Sequence, residues 1–116
     1  MDLFFPEDHL QRMSPEETRI LSLAVQPYPD QQRLRVEVEM TPFTKRPHLD
    51  FVISDPAGAE LASATIVEPL TWKLEFTMHL RSAGENTLTL EARLYYPDGP
   101  SAAPEARTFH LGQTAE

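Results

Sequence analysis

Residues 85–99 read ENTLTLEARLYYPDG, and apolar and polar residues take turns along most of that stretch. Leu88, Leu90, Ala92, Leu94 and Tyr96 fall on one side of an extended strand, with Thr87, Thr89, Glu91, Arg93 and Tyr95 on the other. Successive side chains of a strand point to opposite faces, so the first set is expected to be dry and the second wet. The dry set reads as core. Whether the wet set binds anything is a separate question, because no catalytic or ligand motif answers it.

Working outward, the same two-residue repeat recurs between the eleven prolines of the chain, which are excluded from central strands because they donate nothing to a ladder. Residues 33–40, RLRVEVEM, set Leu34, Val36, Val38 and Met40 against Arg33, Arg35, Glu37 and Glu39. HLDFVIS, between Pro47 and Pro56, puts Leu49, Phe51 and Ile53 in step and ends at DPAG, where Asp55, Pro56 and Gly58 suit a type I turn. AELASATIV is small and mixed, which predicts an edge strand. TWKLEFTMHL alternates Trp72, Leu74, Phe76, Met78 and Leu80 with Thr71, Lys73, Glu75, Thr77 and His79, the bulkiest inward set. RTFHL closes the series with Phe109 and Leu111 inward, and RILSLAV opens it with Leu21, Leu23 and Val25 inward. Ahead of that first strand, Ser14, Pro15 and Glu17 form a capping box that predicts a helical turn over Ser14–Thr18, ending before Ile20.

Seven short strands with loops too short for crossover helices predict an all-β, antiparallel two-sheet sandwich. Residues 19–112 form the sandwich, 1–18 an N-terminal extension and 113–116 a tail. Gly84, Asn86, Leu88, Leu90 and Ala92 resemble the G-x-Y-x-L-x-(V/A) run that opens the sixth strand of immunoglobulin-like and fibronectin type III-like domains, and the strand order from about Arg19 to Gly112 is similar to theirs. Three departures argue against an antibody-type domain. Asn86 stands where the family's corner tyrosine would be, there is no cysteine pair, and Trp72 lies on the fifth strand rather than the third. The resemblance implies a two-sheet fold used mostly for adhesion, spacing or interaction, and fold analogy alone assigns no function.

A chain of 116 residues suits one domain. The absence of cysteine excludes disulfides and thiolate chemistry and is compatible with a reducing cytosol. A net charge of −8 opposes attraction to phosphate backbones and anionic lipid, so neither nucleic acid nor a membrane surface is an expected partner. MDLFFPEDHL lacks the basic start and long apolar run of a secretory signal, and no segment approaches the ~20 apolar residues of a membrane span. A cytoplasmic protein is expected.

Chemistry is sparse. Of His9, His48, His79 and His110, the sandwich sets His79 and His110 on opposite sides of the core and puts a strand between His48 and His110, and all four read as solvated, so no metal or other cofactor is expected. Ser54 and His48 are about 20 Å apart in one strand at ~3.3 Å per residue, too far for a nucleophile and its base. Phosphate-loop, calcium-loop and nucleophile-elbow spacings are missing. The reading is therefore a noncatalytic module that binds a protein partner or a second copy of itself. The alternative is a small loop-based hydrolase or carbohydrate-acting domain, which needs two carboxylates about 5–9.5 Å apart in one pocket.

Two candidate surfaces emerge. Val52, Thr87, Thr89, Tyr95, Thr108 and His110 share one outer face with few charges and one aromatic, as interface cores prefer. The opposite face, with Arg33, Arg35, Glu37, Glu39, Lys73, Glu75 and His79, is expected to stay hydrated. Leu3, Phe4 and Phe5 either fold back to close one end of the core or insert into a partner or a second copy.

Overall fold

The computed structural model describes residues 12–81 and 87–111. Seven strands run in chain order: β1 (Ile20–Pro27), β2 (Arg33–Met40), β3 (His48–Ser54), β4 (Glu60–Val67), β5 (Lys73–His79), β6 (Thr87–Tyr95) and β7 (Glu105–His110). One sheet has the order β1-β2-β5 and the other β4-β3-β6-β7, and every named pairing is antiparallel. The protein is an all-β sandwich.

Alternation explains the central strands. In β2, Leu34, Val36, Val38 and Met40 are buried while Arg33 and Glu37 are exposed, and in β3 the buried set is Leu49, Phe51 and Ile53. Leu88, Leu90, Ala92 and Leu94 complete the layer from β6. Phe51 of one sheet meets Phe76 of the other with ring centroids 4.8 Å apart and planes at 63°, an edge-on contact that knits the layers. Each such buried side chain contributes about 1.5–3 kcal/mol, so the interior dominates stability.

Two elements depart from simple alternation. The β1–β2 register shifts between Ile20 and Ser22, so Ile20 is buried and Leu21, expected inward, is 58% exposed. An extra residue in one strand reverses the parity of everything on one side of it. Leu74 and Phe76, expected to form the bulkiest buried side, are only half-buried, because β5 is the edge of its sheet and lacks a neighbour on one flank.

The loops follow their turn chemistry. At Asp55–Ala59 the Asp55 carbonyl accepts from the Gly58 amide at 2.9 Å and the Asp55 Oδ1 from the Ala59 amide at 2.8 Å. Gly58 has φ 91°, a conformation glycine adopts without steric cost. Between β1 and β2, Asp30 Oδ1 accepts from the amides of Gln32 and Arg33, and its Oδ2 meets Arg33 Nε at 2.7 Å. These bonds, the Gln32 amide foremost, hold the Asp30 carboxyl below the usual carboxylate value.

The segment before β1 is tied to the sandwich. Met13 bridges Phe43 in parallel, with the Met13 amide on the Pro42 carbonyl at 2.8 Å and the Thr44 amide on the Met13 carbonyl at 3.0 Å. A single turn over Pro15–Glu17 follows, in which the Glu17 and Thr18 amides both reach the Ser14 carbonyl and the Ser14 hydroxyl donates to Glu17 Oε1 at 3.1 Å. Thr18 is completely buried and donates to the Ser14 carbonyl at 2.8 Å.

Tyr96 locks this arrangement. Its phenolic hydrogen is shared between the Lys45 carbonyl at 2.8 Å and Thr18 Oγ1 at 3.2 Å, joining the end of β6 to the β2–β3 loop and to the N-terminal turn. Tyr96→Phe keeps the ring but removes the buried bond to Thr18 and the part-buried bond to the Lys45 carbonyl, and is expected to cost about 1–3 kcal/mol. Urea unfolding checks this: the midpoint falls while the slope, which tracks exposed surface, stays unchanged.

Candidate interaction face

The outer face of the β4-β3-β6-β7 sheet is a ladder of rows set by the register. Val67, His48 and Tyr95 share one row, followed by Thr65, Asp50 and Arg93, then by Ser63, Val52 and Glu91. Thr89 faces Thr108, and Thr87 faces His110. Tyr95, Val52 and His110 thus lie on one face, but at different heights along it. Phe4 and Phe5 lie outside the described residues, as do Gly84 and Asn86 of the family-like run.

The first two rows make an organised corner. The His48 and Tyr95 rings lie 5.5 Å apart at 56°, the Tyr95 hydroxyl donates to Asp50 Oδ1 at 3.4 Å, and the Thr65 hydroxyl donates to the same oxygen at 2.9 Å. His48 Nε2 also stands 3.9 Å from Glu68 Oε2. Tyr95 is half-buried and Val67 is 59% exposed, so an aromatic ring and an aliphatic side chain flank an anchored carboxylate. At the other end the Thr87 hydroxyl and His110 Nδ1 are 3.1 Å apart.

This face carries more charge than its neutral residues suggest. Asp50, Arg93 and Glu91 occupy its centre, where strand parity alone puts them. What parity could not reveal is that Asp50 gathers Thr65 and Tyr95 from two different neighbouring strands.

The face of the β1-β2-β5 sheet is ionic. Arg35 Nη2 meets Glu37 Oε2 at 2.7 Å, and Arg35 Nε lies 2.8 Å from Glu75 Oε2. The second contact is an ion pair rather than an aligned hydrogen bond, since Nε has no acceptor in good geometry. Beside it runs a groove of about 370 Å³ lined by Ser22, Ala24, Glu37, Val38, Glu39, Lys73, Leu74 and Glu75. Glu37 and Glu75 are exposed and share one guanidinium, while Glu39 is half-buried. Among the described residues, no three histidine, aspartate or glutamate side chains cluster to hold a metal, and no helix is long and apolar enough to cross a membrane.

No protein-family model matches the chain, and no curated protein matches it in sequence. Among solved structures it is similar to part of the β-glucuronidase of Parabacteroides merdae, with a TM-score of 0.59 and 12% identity over 81% of this chain and 14% of that one. This likeness is one of fold. The Spr0440 glycoside hydrolase domain of Endo-D from Streptococcus pneumoniae R6 aligns with a TM-score of 0.46 and 15% identity, over 93% of this chain and 16% of that one, too loosely to carry an argument.

The two adjacent tyrosines give a pH test. Burial raises the Tyr95 phenol above its ordinary value of 10.0, helped by the Asp50 charge. Burial also raises Tyr96, opposed by its bond to Thr18 and supported by Glu16. Both groups hold their protons longer when folded, so the stability they contribute is present below pH 10.0 and lost as pH rises through the elevated native values. Urea midpoints measured from neutral to alkaline pH are expected to fall above that value. In NMR titration Asp50→Asn lowers the Tyr95 midpoint and leaves that of Tyr96 in place.

Proposed function

We propose that this chain is a noncatalytic interaction module of the immunoglobulin-like or fibronectin type III-like kind, acting in the cytoplasm, and that the outer face of its four-stranded sheet takes a protein partner. The observation that carries the reading is the Tyr95 corner. An aromatic held by His48 and Asp50 presents a wide, partly ordered surface and has little rotamer freedom left to lose on binding. The strand division supports the fold type, with the fourth strand beside the third and the first, second and fifth forming the opposite sheet. The likeness to a stretch amounting to 14% of a much larger enzyme chain is in keeping with a module that works alongside other domains.

A second reading, a carbohydrate-acting domain, draws on the groove at Glu37, Glu39 and Glu75 and on the β-glucuronidase of which one part shares the fold. A glycosidase needs one carboxyl that keeps its proton at neutral pH, which calls for a dry pocket away from cations. Glu37 and Glu75 are instead exposed and joined through Arg35. That arrangement favours the noncatalytic reading.

Affinity capture on the immobilised chain, read as partner recovery, tests both. Tyr95→Ala is expected to reduce recovery about thirtyfold, the loss of a 2 kcal/mol anchor, while Glu37→Gln leaves it unchanged. Equal recovery with all three chains defeats the binding-face reading. Release of nitrophenol from aryl glycosides that disappears in both Glu37→Gln and Glu75→Gln puts the enzymatic reading in its place.

A further inference from the structure

The sandwich has four edge strands, and three are guarded against pairing with another chain. β1 carries the Ile20/Ser22 irregularity, ends at Pro27, and has its Leu23 carbonyl occupied by Arg107 Nε at 3.1 Å. β7 is only six residues long, follows Pro104 and carries Glu105 and Arg107. β5 is studded with Lys73, Glu75 and His79. β4 differs: its one register shift is confined to the Glu60–Ala62 end, and from Leu61 to Val67 it reads LASATIV, with neither charge nor proline.

The direction of its backbone groups follows from two bonds at its ends. The Leu61 carbonyl accepts from the Arg81 amide at 3.2 Å, away from β3, whereas the Glu68 amide donates to the Pro47 carbonyl at 3.0 Å, on the β3 side. Backbone groups alternate direction along a strand, so Ala62, Ala64 and Ile66 bond β3 while Ser63, Thr65 and Val67 point outward. Among the described residues, no backbone hydrogen bond outside the ladders reaches those three, and all three side chains are exposed.

We propose that β4 pairs with β4 of a second copy of this chain, antiparallel about Thr65, fusing the two four-stranded sheets into one of eight. The ends select the register. Placing Thr65 opposite Thr65 sets Ser63 against Val67 in both directions, using only the outward residues. It also brings Leu61, whose carbonyl is already bound, opposite Pro69, which has no amide to offer. Slipping the pairing about Ala64 instead requires Leu61 itself to join the ladder beside Arg81. The chosen register covers Val67 with the small Ser63 of the other copy. It also sets Arg81, whose amide is bound at the start of β4, at the same end as Glu60 of its own copy and Glu68 of the other, so each end holds one cation between two carboxylates. The uncharged ladder keeps the −8 charge of each copy away from the contact itself. The inference stands without the binding-face reading, since it uses the outward backbone groups of Ser63, Thr65 and Val67 rather than the face that their side chains share with Tyr95.

The test is the mass of the full chain by sedimentation from micromolar to millimolar concentration, with amide exchange by NMR on the same samples. The expected mass rises toward twice 13.2 kDa. Exchange at Ser63, Thr65 and Val67 slows about tenfold or more at high concentration, while Ala62, Ala64 and Ile66 are protected at every concentration. Ser63→Pro, which removes an outward amide without touching the β3 ladder, and Val67→Lys, which puts on the edge a charge that Ser63 of the other copy would have to cover, both remain at the single-copy mass. Glu37→Gln on the opposite sheet dimerises like the parent. If Ser63→Pro fails to fold, Val67→Lys and the parent's exchange pattern decide alone. A single-copy mass throughout, a doubling that survives Val67→Lys, or new protection elsewhere than these three amides overturns the proposal. The first of these outcomes would leave the edge to a strand from a different protein.

Discussion

The structure depends on the dryness of one layer. Leu34, Val36, Met40, Leu49, Phe51, Ile53, Leu90 and Ala92 have no solvent exposure at all, and they come from β2, β3 and β6, the strands with a neighbour on both sides. Burial of this layer offsets the ordering of a chain whose loops are rich in proline and whose surface repels itself. The edges then differ in kind from the centre. β5 keeps Leu74 and Phe76 half-covered, and β4 faces it with Ala62 and Ala64, small side chains at the rim of the core.

Polar groups inside the sandwich are few and mutually satisfied. Thr18 is the buried polar residue of the described core, and it is held by Ser14 and Tyr96. A hydroxyl sequestered without partners costs a large part of a small domain's margin; this one is paired, and the Tyr96 hydroxyl that meets it joins three segments far apart in the chain. The Tyr96 bond to Lys45 spans 51 residues and that to Thr18 spans 78. The outer face follows the same economy, with Asp50 receiving hydroxyls from strands on both sides.

Much of this was legible before any coordinates. RLRVEVEM and HLDFVIS coincide with β2 and β3 residue for residue, because strict alternation bounded by turn residues leaves a strand little choice of face. The bulge at Ile20/Ser22 was not legible, since three adjacent apolar or small residues, Ile20, Leu21 and Ser22, do not say which one is extruded. The shallow burial of β5 escaped because edge position is a property of sheet order, which a single strand's pattern does not contain. Tyr96 looked like an ordinary inward residue, and its role as a fastener rests on partners that only the folded chain brings near. On the outer face, parity located Tyr95, Val52 and His110, whereas the grouping of Thr65, Asp50 and Tyr95 required knowing which strands are neighbours.

The contact of Arg107 with the Leu23 carbonyl has a mechanical consequence. It fastens the last strand to the first; the Thr18–Tyr96 bond sets the start of β1 beside the end of β6, and β6 and β7 are antiparallel, so β1 and β7 run in the same direction. Ile20 therefore stands at one pole of the sandwich and His110 at the other. Tension applied between those residues slides the terminal strands lengthwise past their neighbours, so the rungs of each ladder are strained together instead of being peeled away one at a time.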